Sequence, residues 1–206
     1  MPYSQFNLEE LEKEFQLESQ YNTPLFVHVP DTKVSNYLNM TIKNFSPLAL
    51  AINTQKSRSE WIVAPVLAEI RQLLNQQVSL FSGLEINSDP DKGLEGMIDY
   101  ILCKSQKQYY LSPPILAVVE GRKDSIHDSE ALGQCVAKML GARLYNEKEG
   151  VTNQSIYGVL TNGTNWKFLK LEDNIISIDI DEYYLVNVSK IISIFLFIAK
   201  QEQQES

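Results

Sequence analysis

Hydrophobic and polar positions along the chain follow two periods, which predict a sheet flanked by helices. A helical repeat of apolar residues runs through 59–76, and three short apolar runs bounded by turn residues follow it. Such runs are typical of buried strands, and we expect them to form strands. The predicted strands span 78–86, 94–103 and 115–122.

The second half of the chain continues the pattern. A helix is predicted over 128–147, with many small residues that indicate close packing against the sheet. Two further strands are expected at 155–161 and 166–171, because Asn162-Gly163 between them is typical of a tight hairpin. The remaining expectations are less regular elements: helices at 8–15 and 183–200 and strands at 25–29 and 175–180. The fold class is therefore α/β, a mixed central sheet flanked by helices.

Composition narrows the class of protein. The 206 residues are 44% hydrophobic and 21% charged, which is typical of one globular domain over 1–206. A net charge of −8 argues against indiscriminate binding to nucleic acid but leaves room for a local basic patch. Two cysteines without metal-site spacing, and no signal peptide, lead us to expect a cytoplasmic protein. The apolar run at 191–199 is too short to span a membrane.

Two carboxylates in apolar strands are the candidate chemistry. Asp99 interrupts the second strand, and Glu120 stands near the end of the third, just before Gly121 and Arg122. A buried charge is costly unless it is paired or bound to a ligand, so each acid is a structural ion pair or part of a site. Alternation along the third strand places Glu120 and Arg122 on one face, and an antiparallel neighbour can bring Asp99 to that face.

These residues resemble the PD-(D/E)XK phosphodiesterase superfamily, which has the restriction-endonuclease-like fold with an α-β-β-β-α-β core. Asp99 matches the aspartate of that family's second core strand, and Glu120 matches the acid of the third. Gln134 matches a glutamine that the family often has on the helix after the third strand. Glu60 or Glu69 matches the acid often found on the family's first helix. The resemblance covers about 57–171, with an N-terminal helical extension and a C-terminal helix outside it.

Uncharacterised nuclease-like proteins of cyanobacteria look similar through particular segments of this chain. These are Arg58-Ser59-Glu60, Phe81-Ser82-Gly83, Gly133-Gln134-Cys135 and Asn162-Gly163-Thr164-Asn165-Trp166.

The resemblance implies a metal-dependent nuclease that hydrolyses phosphodiester bonds in DNA, with Mg²⁺ or Mn²⁺ as cofactor. The implied metal ligands are Asp99, Glu120, the Gly121 carbonyl and Glu60 or Glu69. Arg122, helped by Lys123, would stabilise charge, and Gln134 would complete the catalytic set. DNA is then the expected partner, and a homodimer is expected by analogy with the fold.

One departure from the family pattern leaves alternatives open. The pattern has lysine two residues after Glu120, where this chain has Arg122, which is bulkier and cannot be deprotonated. A catalytically degenerate member of the fold, acting as a binding or regulatory module, is the alternative. An unrelated α/β domain with an accidental match is a third interpretation.

The candidate residues also have ordinary structural interpretations. Asp99 is then an edge carboxylate that accepts backbone hydrogen bonds, and Glu120 with Arg122 is a solvated ion pair. Glu60 is a partner of the helix dipole, and Glu69 and Gln134 lie on solvated helix faces.

Overall fold

The computed structural model describes residues 2–152 and 155–201, and its centre is one mixed sheet. The strands of these residues are β1 Glu18–Gln20, β2 Ser79–Glu85, β3 Met97–Cys103, β4 Ile115–Gly121, β5 Ile156–Thr161, β6 Asn165–Glu172, β7 Ile175–Ile178 and β8 Tyr183–Tyr184. The α-helices are α1 Leu8–Phe15, α2 Asn36–Ile52, α3 Gln55–Arg58, α4 Ala64–Leu73, α5 Ser129–Lys148 and α6 Val188–Gln201. A π-helical stretch, Ser59–Val63, joins α3 to α4.

The sheet order is β1-β7-β6-β5-β4-β3-β2, and β8 pairs with β6. β2, β3 and β4 form an antiparallel meander, whereas β5 runs parallel to β4. A parallel neighbour requires a crossover connection, which α5 supplies. The α/β class with a mixed sheet between helices is therefore confirmed, and α4, β2, β3, β4, α5 and β5 follow one another in the predicted order.

Two hydrophobic clusters cover the two faces of the sheet. One contains α5 and α1, and the other contains α4 and α6. Val118 belongs to the first cluster and Val119 to the second, because neighbouring side chains on a strand point to opposite faces. β4 is buried along its whole length, so a charged group at its end has little water around it.

Small residues of α5 make room for the N-terminal segment rather than only for the sheet. A Cβ on Gly133 would lie 2.4 Å from the backbone of Asn7, and one on Gly141 would lie 2.1 Å from the hydroxyl of Tyr3. The prediction that these residues serve contact with the sheet was therefore incomplete. Gly158 on β5 makes the corresponding close contact with Cys135 and Met139 of α5.

Three predicted elements differ from the structure, and one of them is the helix predicted over 183–200, where Tyr183–Tyr184 form β8 and α6 begins only at Val188. Residues 25–29 form turns instead of a strand, because the Leu25 amide donates to the Asp179 carboxylate (3.1 Å) instead of to a neighbouring strand. The helix predicted from residue 59 begins earlier, at Gln55, and its α-helical part ends at Leu73. The short polar strand β1 was not predicted. Among residues 2–152 and 155–201, no helix has both the length and the apolar character needed to cross a membrane.

Candidate functional site

The candidate site lies where β3 begins and β4 ends. Tyr100 lies opposite Val119 in the antiparallel pair, so Asp99 and Glu120 are the next positions along the two strands. The Asp99 Oδ2 atom accepts a hydrogen bond of 2.8 Å from the backbone N–H of Gly121. The structure therefore brings the two predicted acids to the same end of the sheet.

Glu120 is paired with a lysine from the helix behind it. Its carboxylate Oε2 accepts a hydrogen bond from Nζ of Lys138 on α5, and the two residues are only 8% and 6% exposed. Burial raises the pKa of Glu120 above its ordinary value, while the Lys138 charge acts to lower it and the Asp99 charge acts to raise it further. The site thus holds a carboxylate, its cation and a second acid in a poorly solvated place.

Gln55 connects α3 to the same strand end. Its Nε2 donates to the backbone carbonyl of Gly121 over 2.7 Å and lies 3.5 Å from Oδ2 of Asp99. A reciprocal cap holds this short helix, because Thr54 and Ser57 each accept the other's backbone N–H. Two of the oxygens predicted to bind a metal therefore converge on one amide group.

Arg122 and Gln134 form a separate chain of contacts beside the carboxylates. The Arg122 Nε donates to the Ser125 carbonyl (3.1 Å), and its Nη1 donates to Oε1 of Gln134 (2.9 Å). Gln134 in turn donates to the carbonyl of Ser4 (3.0 Å). Gln134 therefore fixes the guanidinium, while Lys123 is exposed in the loop after β4.

The two acids predicted on the first helix lie in different surroundings. Glu60, in the π-helical stretch, is exposed and lies 3.7 Å from Nζ of Lys56. Glu69 is buried, and its two oxygens accept from the backbone N–H and the hydroxyl of Ser35, at 2.7 and 2.8 Å. Ser35 caps α2, so in this arrangement the bonds of Glu69 secure a helix end.

The oxygens at this end of the sheet are of the kind that bind a hard divalent cation, although they come from only three residues. Carboxylate and carbonyl oxygens are what Mg²⁺ prefers, and it keeps several waters beside one or two carboxylates. Asp99, Glu120 and the Gly121 carbonyl match that description. In the part of the chain that the structure describes, no group of three or more histidine, cysteine, aspartate or glutamate side chains is arranged to hold a metal.

Sequence reasoning missed two residues of this site. One is Lys138, the one basic residue in the apolar stretch from Cys135 to Leu140. It also stands one helical turn after Gln134, and this spacing was a usable signal. Gln55 had no comparable signal, because it is an exposed polar residue at the start of a short helix.

No family model matches the chain, and neither a curated protein nor a solved structure matches it.

Proposed function

We propose that this protein is a metal-dependent nuclease of the PD-(D/E)XK, restriction-endonuclease-like kind, which hydrolyses phosphodiester bonds in DNA with Mg²⁺ or Mn²⁺. The observation that carries the proposal is that Asp99 accepts from the Gly121 N–H, next to Glu120, whose carboxylate is paired with the buried Lys138. The α-β-β-β-α-β order of the surrounding elements supports it.

Each residue has a role that follows from its surroundings. Asp99, Glu120 and the Gly121 carbonyl provide the oxygen ligands, and a bound divalent cation would polarise the phosphate and acidify a water molecule. Burial makes these charges interact strongly, because little water is present to screen them. Glu60 and Glu69 are left out of this ligand set. Glu60 is exposed beside Lys56, and both carboxylate oxygens of Glu69 accept hydrogen bonds from Ser35.

Lys138 takes the place of the family's missing strand lysine in this proposal. The cation at position 122 is an arginine held by Ser125 and Gln134, whereas the lysine that contacts Glu120 comes from α5. A compact ammonium group is better suited than a broad guanidinium to a place beside the attacking water. Arg122 then stabilises phosphate charge from the adjacent loop.

The substrate is an anion, although the whole chain is acidic. Basic side chains cluster on the two segments that flank the site, α3 and the loop after β4. They are Lys56, Arg58, Arg122 and Lys123. This local charge attracts phosphates near the site, while the overall charge of −8 limits binding elsewhere on the surface.

A cleavage assay with matched variants tests the proposal. Plasmid DNA, linear duplex and single strands are incubated with Mg²⁺ or Mn²⁺ and with wild type, Asp99→Ala, Glu120→Ala or the control Glu69→Ala. We expect the first two variants to lose about 100-fold or more of the activity and the control to keep it, because Glu69 is bonded to Ser35. Cleavage that survives both Asp99→Ala and Glu120→Ala would overturn the assignment.

A noncatalytic binding or regulatory module is the second candidate. The contact between Lys138 and Glu120 favours it, because the ammonium group already neutralises the carboxylate that a metal requires. Calorimetry with Mn²⁺ on wild type and Arg122→Lys separates the two functions. Nuclease function requires metal binding and cleavage; absence of both in the two proteins would establish the noncatalytic module.

A further inference from the structure

Helix α2 presents an apolar face to solvent. Only Leu38 and Ala49 of its seventeen residues are buried. Tyr37, Met40 and Leu48 are 77%, 62% and 46% exposed, although each is large and apolar. Soluble proteins rarely expose contiguous apolar surface without a partner for it.

Of the exposed apolar residues of α2, Tyr37, Met40 and Leu48 lie on one side of the helix. Phe45 and Ile52 border that side, and Leu50 lies on a different side. Residues spaced by three or four positions share a helix face, and such spacing connects Tyr37, Met40, Asn44, Leu48 and Ala51. We call these five residues the α2 stripe. Leu38 and Ala49, which contact the protein, fall on the other side of the helix.

The α2 stripe is symmetric about Asn44. Met40 and Leu48 lie four residues to either side of Asn44, and Tyr37 and Ala51 lie seven residues to either side. In an antiparallel pair of identical helices with a two-fold axis at Asn44, Met40 meets Leu48, and the large Tyr37 meets the small Ala51. The Asn44 amide both donates and accepts hydrogen bonds, so it can pair with its own copy.

Charge also favours a second copy of this chain. The chain has 26 acidic residues and a net charge of −8, so two copies repel one another through most of their surface. α2 contains no acidic residue, and Lys43 is its one charged residue. Its exposed face is thus a place where two acidic molecules can meet without placing carboxylates against each other.

We propose that α2 docks antiparallel against α2 of a second copy, with a two-fold axis at Asn44. Seventeen residues make a helix about 25 Å long, and such a strip is small beside the ~800 Å² that each partner buries in a standard interface. Phe45 and Trp61, stacked at 5.0 Å and partly exposed, extend the apolar surface beside it. The dimer is therefore weak, with a dissociation constant of about 1–100 µM.

Sedimentation velocity across a concentration series tests the dimer. Wild type should shift from monomer to dimer between about 1 and 200 µM, whereas Leu48→Glu should weaken association at least ~10-fold by placing two carboxylates in the interface. Val186→Glu is the matched control, because Val186 is almost fully exposed but lies outside α2. A wild type that stays monomeric throughout overturns the proposal and leaves the face to a different protein; a Leu48→Glu variant that dimerises normally overturns it too.

A disulfide test locates the axis. Asn44→Cys should form a covalent dimer on mild oxidation, because residues on a two-fold axis approach their own copies. Val186→Cys should not, and the native Cys103 and Cys135 are buried. A dimer that Asn44→Cys fails to cross-link would place the second copy elsewhere and overturn the proposed geometry. Both experiments report whether two copies associate, so their outcome is independent of the nuclease assay.

Discussion

Two buried glutamates of this protein, Glu69 and Glu120, are held in opposite ways. Glu69 accepts from the backbone N–H and hydroxyl of Ser35, which are neutral donors that secure the start of α2. Glu120 contacts the ammonium group of Lys138, and the charge of a second carboxylate, that of Asp99, acts on it. A buried acid bonded to neutral donors is part of the scaffold, whereas one facing a cation and a second acid has the surroundings of a site.

The largest expected effect comes from removing the Lys138 ammonium group that pairs with Glu120. Lys138→Met should lower the free energy of unfolding by about 3–5 kcal/mol at neutral pH, because it leaves the Glu120 carboxylate buried without its partner. Ser35→Ala, the matched change at Glu69, removes one hydrogen bond and a helix cap and should cost about 1–2 kcal/mol. Urea unfolding in the presence of a chelator measures both values.

A double variant sharpens this measurement. Glu120→Gln combined with Lys138→Met removes both charges and should recover part of the lost stability, since no unpaired charge is left behind. If Lys138→Met costs less than Ser35→Ala, the distinction between the two glutamates disappears.

The next largest effect is the dependence of the protein's stability on pH. Burial raises the pKa of Glu120 above the ordinary 4.5, so the folded protein holds this proton more tightly than the unfolded chain. The stability that Glu120 contributes is therefore fully present below pH 4.5 and is lost as the pH rises through the raised pKa. Relative to Glu120→Gln, wild type should become progressively less stable in urea titrations as the pH rises above 4.5. Parallel pH profiles of the two proteins would contradict the raised pKa.

The smallest effect is expected at Gln55. Its amide group is bonded to the Gly121 carbonyl and lies near Asp99, the same oxygens that a cation would bind. Gln55→Ala should therefore raise Mn²⁺ affinity by about 3-fold in calorimetry, because a competing neutral donor is removed. Gln108→Ala is a matched control, since Gln108 also uses its amide on a backbone carbonyl, that of Leu80. Equal affinities in wild type and Gln55→Ala would show that Gln55 does not compete for those oxygens.

Sequence reasoning succeeded where local patterns coincide with the final packing. The strands β2 to β6 and the helix α5 were predicted because apolar runs and turn residues mark their ends. No element was predicted at α2, because apolar residues on several of its sides blur the helical period. β1 has the polar sequence Glu-Ser-Gln and exists through backbone pairing with β7, which no side-chain pattern reveals.

The candidate site shows the same limit. Asp99 and Glu120 were predicted because a charge in an apolar strand stands out and antiparallel pairing brings neighbouring strand ends together. The partner of Glu120 depends on how α5 crosses the sheet, and strand alternation alone does not predict that Lys138 rather than Arg122 contacts it. Likewise, Glu69 and Ser35 are 34 positions apart, and folding alone brings them together.

The hydrogen-bond chain from Ser4 through Gln134 to Arg122 offers a way to observe the site without touching it. Ser4 is exposed, and both native thiols are buried, so Ser4→Cys would be the accessible cysteine for a fluorescent label. An environment-sensitive dye at that position would be two hydrogen bonds away from the guanidinium. Changes in its emission on addition of oligonucleotide or Mn²⁺ would then report events at the strand ends in real time.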